Sequence, residues 1–182
     1  MVLWIIVGVI ALIAIFFIGY FNRFITLENR IDNSLSQIDV QLKKRVDLVP
    51  NLMNSVKGYM KHEKSIMTEV TNARKAFMGA KTMEQKFAKG AELQHALKSI
   101  LALAENYPQL KANENFLHLQ QELSAIEDKV AYARQHYNDS ILSYNNITKR
   151  FPGVIFASIY GKKPKKYFEI PKEERSVPKV EF

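Results

Sequence analysis

Cysteine is absent from the 182 residues, which excludes disulfides, thiolate nucleophiles and Cys-based zinc or iron–sulfur sites. Glycine and proline are sparse, at 7 and 6, a composition that suits long uninterrupted helices. Acidic residues are outnumbered. Lys plus Arg exceed Asp plus Glu by 26 − 18 = 8, so the polar part is basic and an anionic partner is favoured, with lipid headgroups the nearest one for an anchored domain. No recognised nucleic-acid-binding motif accompanies that charge, and no nucleic-acid partner is expected. Also missing are a glycine-rich phosphate loop and a G-x-S-x-G elbow. His62-Glu63 begins like a zinc-protease helix, but Ile66 stands where the second histidine belongs. Glu92-Leu93-Gln94-His95 supplies one half of a di-metal bundle motif, and the stretch from Glu114 to Leu117 lacks the matching histidine. His95, His118 and His136 are scattered without i, i+4 pairing. No catalytic residue, metal, cofactor or small-molecule substrate is expected.

What is there begins with a charge-free run of 20 residues, Val2 to Phe21. As a helix it spans about 30 Å, the thickness of a bilayer's hydrocarbon core. Trp4 and Tyr20 stand near its ends, where interfacial aromatics are favoured. A cleaved signal peptide would carry a charged leading region, a shorter apolar core and a small-x-small exit site. Ile18-Gly19-Tyr20 is a poor match to such a site, so an uncleaved single-pass anchor over residues 1–22 is expected. Arg23 and Arg30 follow the run, and the positive-inside bias places the remainder in the cytoplasm. Small residues do not recur four apart in the run, so a close-packed dimer face is not indicated.

Residues 23–160 read as an antiparallel helical bundle, all-α, with three long helices and one short C-terminal helix. From Ile31 to Phe77 apolar residues recur in steps of four and three, a heptad seam interrupted by Arg45 and Glu63. Pro50 lies inside it and predicts a kink, not an end. Thr82-Met83-Glu84-Gln85 reads as a capping box opening a second helix to about Asn106, which Pro108 stops. Asn113 caps a third helix from Glu114 to Arg150, whose seam runs from Phe116 to Phe151. Val154 to Tyr160 makes one short apolar helix. Residues 161–182 carry three prolines and many charges and read as an extended basic tail.

If the first seam is one helix and Tyr107 to Asn113 is an extended connection, the third helix climbs beside the first nearly in register. That register sets Arg134 beside Glu63 and Glu122 beside Arg45, pairs that would relieve the cost of burying lone charges. It also leaves Leu27, Ile31, Leu35 and Ile38 short of partners within the chain, which predicts self-association through this stalk unless the tail folds back over it. Asp39, Asp47 and Asn51 mark the segment around Pro50. Asp47 and Asn51, four apart, are read as repairing the backbone that the proline frees, with a partner-binding face as the alternative. Asn138 and Asn145, one heptad apart beside Tyr137 and Tyr144, are read as interhelical hydrogen-bonding residues. Lys162, Lys163, Lys165 and Lys166 form a cluster that could touch acidic lipid or remain solvated.

Several segments match a known pattern in order and spacing. They are IDVQLKKRVDLVPNL from Ile38, VKGYMKHE from Val56, ENYPQLKAN from Glu105, Ala133-Arg134, YN at Tyr137 and Tyr144, FPG at Phe151 and YFE at Tyr167. Together they resemble the LemA family of bacterial proteins over nearly the whole chain. The resemblance implies a single-pass protein of the bacterial inner membrane with a helical-bundle domain on the cytoplasmic side, and it implies no catalytic residues. Some members act in membrane-organelle biogenesis, as in magnetosome formation. The expected function is a non-enzymatic, self-associating membrane scaffold or adaptor. The alternative is an accessory subunit of a membrane enzyme such as a protease, with another membrane protein as partner.

Overall fold

The structure, a computed structural model, describes residues 1–168. Those residues form six helices and no strand: α1 (Val2–Lys57), α2 (Lys64–Met78), α3 (Met83–Ala104), α4 (Pro108–Lys111), α5 (Glu114–Lys149) and α6 (Gly153–Ile159). The all-α class, the apolar N-terminal helix and the short C-terminal helix stand as read from the sequence. The chain divides into two compact units, Ser36–Ala133 and a second made of Met1–Leu35 with the segment from Arg134 onward. This division cuts across the order of anchor, bundle and tail, because the first 35 residues pack with the C-terminal segment.

In the unit Ser36–Ala133, the seam of α1 buries Ile38, Leu42, Val46, Val49, Leu52 and Val56. Burying each such side chain stabilises the fold by about 1.5–3 kcal/mol before ordering costs are counted. The seam does not continue to Phe77 in one helix, as the periodicity predicted. It ends at Lys57, where Gly58 lowers helix propensity by about 1 kcal/mol. The amides of Tyr59 and Met60 then bond the Val56 carbonyl at 3.0 and 2.9 Å, and the turn buries Met60 while leaving Tyr59 partly exposed. α2 restarts after Glu63, with Val70 and Phe77 buried.

Pro50 removes the N–H that would reach the Val46 carbonyl, four residues back and fully buried. That acceptor is satisfied from another helix: Arg74 of α2 donates its Nε–H at 3.2 Å. Repair by Asp47 and Asn51 is therefore corrected. Asp47 pairs with exposed Lys43 at 2.6 Å, and the Asn51 carbonyl accepts from Ser55. Asp39 holds the Lys86 ammonium at 2.6 and 2.7 Å.

The capping box at Thr82 forms as read. The Thr82 hydroxyl accepts from the Gln85 amide at 3.2 Å, and the Gln85 side chain accepts from the Thr82 amide at 3.4 Å. Gly90 lets α3 lie close to α1, since a Cβ there would sit 3.2 Å from Leu42 Cδ2. The connection after α3 is not extended. Pro108 starts the single turn α4, a favoured position for a residue without an N–H, and Leu110 is fully buried. Asn113 caps α5 through the Phe116 amide at 3.1 Å.

With the seam broken at Lys57 and the connection coiled, the length argument for the charge pairs loses its basis. Arg45, 3% exposed, donates to Gln94 of α3 at 3.3 Å. Gln94 in turn donates to Glu127 of α5, which also meets Lys98 at 3.3 Å. A neutral amide thus relays the buried guanidinium to a carboxylate. Glu122 stands 3.8 Å from His118. Glu63, at the start of α2, accepts from the Tyr107 hydroxyl at 3.2 Å. Burial and this bond raise the Tyr107 pKa.

Candidate membrane-proximal site

The unit that contains the N-terminus is built around aromatic rings. Residues 1–16 are exposed throughout, with Val2 and Trp4 among the most open. From Phe17 the helix acquires partners. Phe17, Tyr20, Phe24, Leu27 and Ile31 of α1 form a cluster with Tyr137, Ile141, Tyr144 and Ile147 of α5 and with Phe156, Ala157 and Tyr160 in and after α6. Tyr20 stacks on Phe156, with ring centroids 4.4 Å apart and an interplanar angle of 10°. Phe17 meets Phe156 edge-on at 5.1 Å, and Phe24 meets Tyr144 edge-on at 5.9 Å. Such ring pairs add about 0.5–1.5 kcal/mol each beyond the area they bury. The Tyr160 hydroxyl donates to the Phe17 carbonyl at 2.8 Å, and Phe21 packs edge-on against the same ring.

This cluster changes the reading of the stalk. Leu27 and Ile31 are 7% and 3% exposed, Ile38 is fully buried and Leu35 is half-buried. Leu27 and Ile31, two residues of that stripe, are covered within the chain by the end of α5 and by α6. Phe151, read as the last seam residue of α5, is instead 81% exposed, because the helix ends at Lys149 and Gly153 turns the chain. A Cβ on Gly153 would lie 2.3 Å from the Ile147 carbonyl oxygen, so only glycine fits that close approach without displacing backbone.

Beside the rings is a polar layer. Glu28 accepts from Lys162 at 2.8 and 2.9 Å and from the Tyr144 hydroxyl at 3.3 Å. Burial of the phenol, the Glu28 charge and this bond push the Tyr144 pKa up to about 12. Burial and the Asp32 charge raise that of Tyr137. Ser34 donates to the Arg30 carbonyl at 2.8 Å, which leaves its oxygen to accept from His136 Nδ1 at 3.2 Å.

Asn138 and Asn145 do not bond helix to helix. Each grips the backbone of the segment after α6. Asn145 donates to the Lys165 carbonyl and accepts from the Lys165 amide, both at 2.8 Å. Asn138 does the same with Phe168, at 3.1 and 2.8 Å. Seven helical residues rise about 10.5 Å, and three extended residues cover about 10 Å, so one heptad of helix matches three residues of extended chain. The segment runs antiparallel to α5, and Arg134 lies over the Phe168 ring at 4.8 Å. Sequence reading took this tail as extended but missed the clamp, whose signal was two asparagines one heptad apart. Of the four lysines read as a lipid contact, Lys162 is bound to Glu28 and Lys165 lies 5.4 Å over the Tyr144 ring. Lys163 and Lys166 are exposed. The rest of the tail, residues 169–182, lies outside the described residues.

Among the described residues no three His, Asp or Glu side chains come together in a way that could hold a metal.

Magnetosome protein MamQ of Magnetospirillum gryphiswaldense is 24% identical over 81% of this chain, which spans 64% of that protein's length. Magnetosome protein MamQ 2 of Paramagnetospirillum magneticum is 24% identical over 90% of this chain and 70% of its own. Protein LemA of Metamycoplasma hominis is 27% identical over 71% of this chain and 60% of its own. The LemA family model matches residues 34–182, and the chain belongs to the LemA family.

Proposed function

We propose that this LemA-family chain is a single-pass, non-enzymatic protein of the bacterial inner membrane, its helical part in the cytoplasm, that serves as a scaffold or adaptor. One observation carries the tether: residues 1–16 are all exposed, and nearly all are large apolar side chains on a helix long enough to cross a bilayer. In water this surface would be many times what a monomer tolerates, whereas acyl chains are its natural solvent. Arg23 and Arg30 beyond the run favour the cytoplasmic side. Exposed Lys163 and Lys166 add about 1 kcal/mol each near an anionic leaflet. Names of relatives as magnetosome proteins accord with work at a membrane.

Affinity purification from detergent-solubilised membranes, with mass spectrometry, tests the adaptor role. Recovery of lipid and non-enzymatic membrane proteins supports it, and a stoichiometric enzyme partner replaces it with the accessory-subunit reading. Association between copies belongs to the same proposal. Light scattering of the protein in detergent measures it: a mass above one copy supports it, and a single-copy mass removes it.

A further inference from the structure

The eleven residues from Phe151 to Gly161 contain no charge and are bracketed by Lys149-Arg150 and Lys162-Lys163. Within them α6 has two faces. Gly153, Phe156 and Ala157 are buried against the aromatic cluster. Val154, Ile155 and Ile159 are 42%, 50% and 55% exposed, and Phe151, just before the helix, is more open still. A helix of seven residues with an uncovered apolar face gains nothing from facing water.

Its depth relative to the anchor is fixed by direct contacts. Phe156 touches Phe17 and Tyr20, and Tyr160 bonds the Phe17 carbonyl. Phe17 lies four residues inside the charge-free run that ends at Phe21, or about 6 Å along a helix axis. A helix lying in a bilayer interface buries its apolar face about 5–10 Å into the headgroup and acyl boundary, with basic residues at its margins. The lengths agree, the apolar face has the right chemistry, and the flanking charges have the sign that anionic headgroups attract.

We propose that α6 and Phe151 form a second membrane-contacting element, seated in the lipid interface beside the anchor, with Val154, Ile155, Ile159 and Phe151 against acyl chains and exposed Lys149, Arg150 and Lys163 among headgroups. The inference rests on the reading that α1 crosses the bilayer, since continuity with that span sets the depth. It makes the membrane contact a pair of elements, one crossing and one lying flat.

Because the chain has no cysteine, single environment-sensitive fluorophores can be placed at will. Ile10→Cys reports the span and Ile155→Cys the interfacial helix. The full-length variants are labelled and reconstituted into vesicles of phosphatidylcholine with a minority of phosphatidylglycerol. Nitroxide-labelled lipid quenches the Ile155 probe to within about twofold of the Ile10 probe, as an interfacial helix requires. An Ile155 probe quenched by aqueous iodide and spared by lipid nitroxide, with Ile10 still lipid-quenched, overturns the inference and leaves the tether standing. An Ile155 probe shielded from both quenchers assigns the face to a protein partner and also overturns it. An Ile10 probe in water removes the tether and the inference together.

Discussion

Pro50 deprives the buried Val46 carbonyl of its helical donor, and the Arg74 guanidinium of a neighbouring helix replaces that donor. Leaving such an acceptor unsatisfied costs about 1–3 kcal/mol, so Arg74→Ala is expected to destabilise the protein by that amount in thermal or urea unfolding. In a Pro50→Ala background the backbone N–H returns, and the same Arg74→Ala change is expected to cost little. Equal costs in both backgrounds would show that Arg74 acts through something other than Val46. Tyr144 gives a pH dependence at the same scale. Its folded pKa, about 12, lies above the ordinary 10.0, so the protonated phenol is the form the fold prefers. The stability this contributes is complete below the unfolded value and is lost as pH climbs from about 10 through about 12. Tyr144→Phe is expected to flatten part of the alkaline loss of stability measured by circular dichroism, and an unchanged alkaline profile would contradict the assignment. Little of this was legible beforehand: Pro50 announces an orphan carbonyl, but only the packing of α2 on α1 shows that Arg74 is within reach.

Gly153 and the two asparagines act on elements. Alanine at Gly153 would place a methyl group 2.3 Å from a backbone oxygen that cannot swing away, and Gly153→Ala is expected to cost about 1–3 kcal/mol by forcing α6 off the aromatic cluster. A near-neutral change in melting temperature would refute that fit. Asn138 and Asn145 hold residues 165 and 168 through four bonds to their backbone, so the double change to alanine is expected to free the segment. Trypsin should then cut after Lys165 and Lys166 about tenfold faster or more, whereas an unchanged rate would mean that side-chain packing holds it. Elements with their own periodicity and caps were readable: the capping box at Thr82, the Asn113 cap, α5 to within a residue, and the short α6. The elements misread are those where short-range chemistry overrides the repeat. Gly58 and the Met60 turn break a seam whose heptads continue on paper, and Pro108 starts a turn of helix where an extended link was read. The clamp went unseen because an extended segment has no helical repeat to place it beside α5.

At the scale of the whole molecule, the division into two units follows from where the first helix finds its partners. Residues 36–57 of α1 bury an aliphatic seam within Ser36–Ala133, while Phe17 to Ile31 bury theirs with α5 and α6. A periodicity argument registers the seam but cannot say that the C-terminus returns to cover Leu27 and Ile31, because that contact joins residues over a hundred positions apart. Residues 1–16 are exposed throughout, and the functional reading depends on what solvates them. Alkaline carbonate washing of membranes from cells expressing the full chain measures this directly. The account predicts that the protein stays in the membrane pellet, and that it is released to the supernatant when residues 2–21 are deleted. Full-length, untrimmed protein recovered in the carbonate supernatant would contradict it.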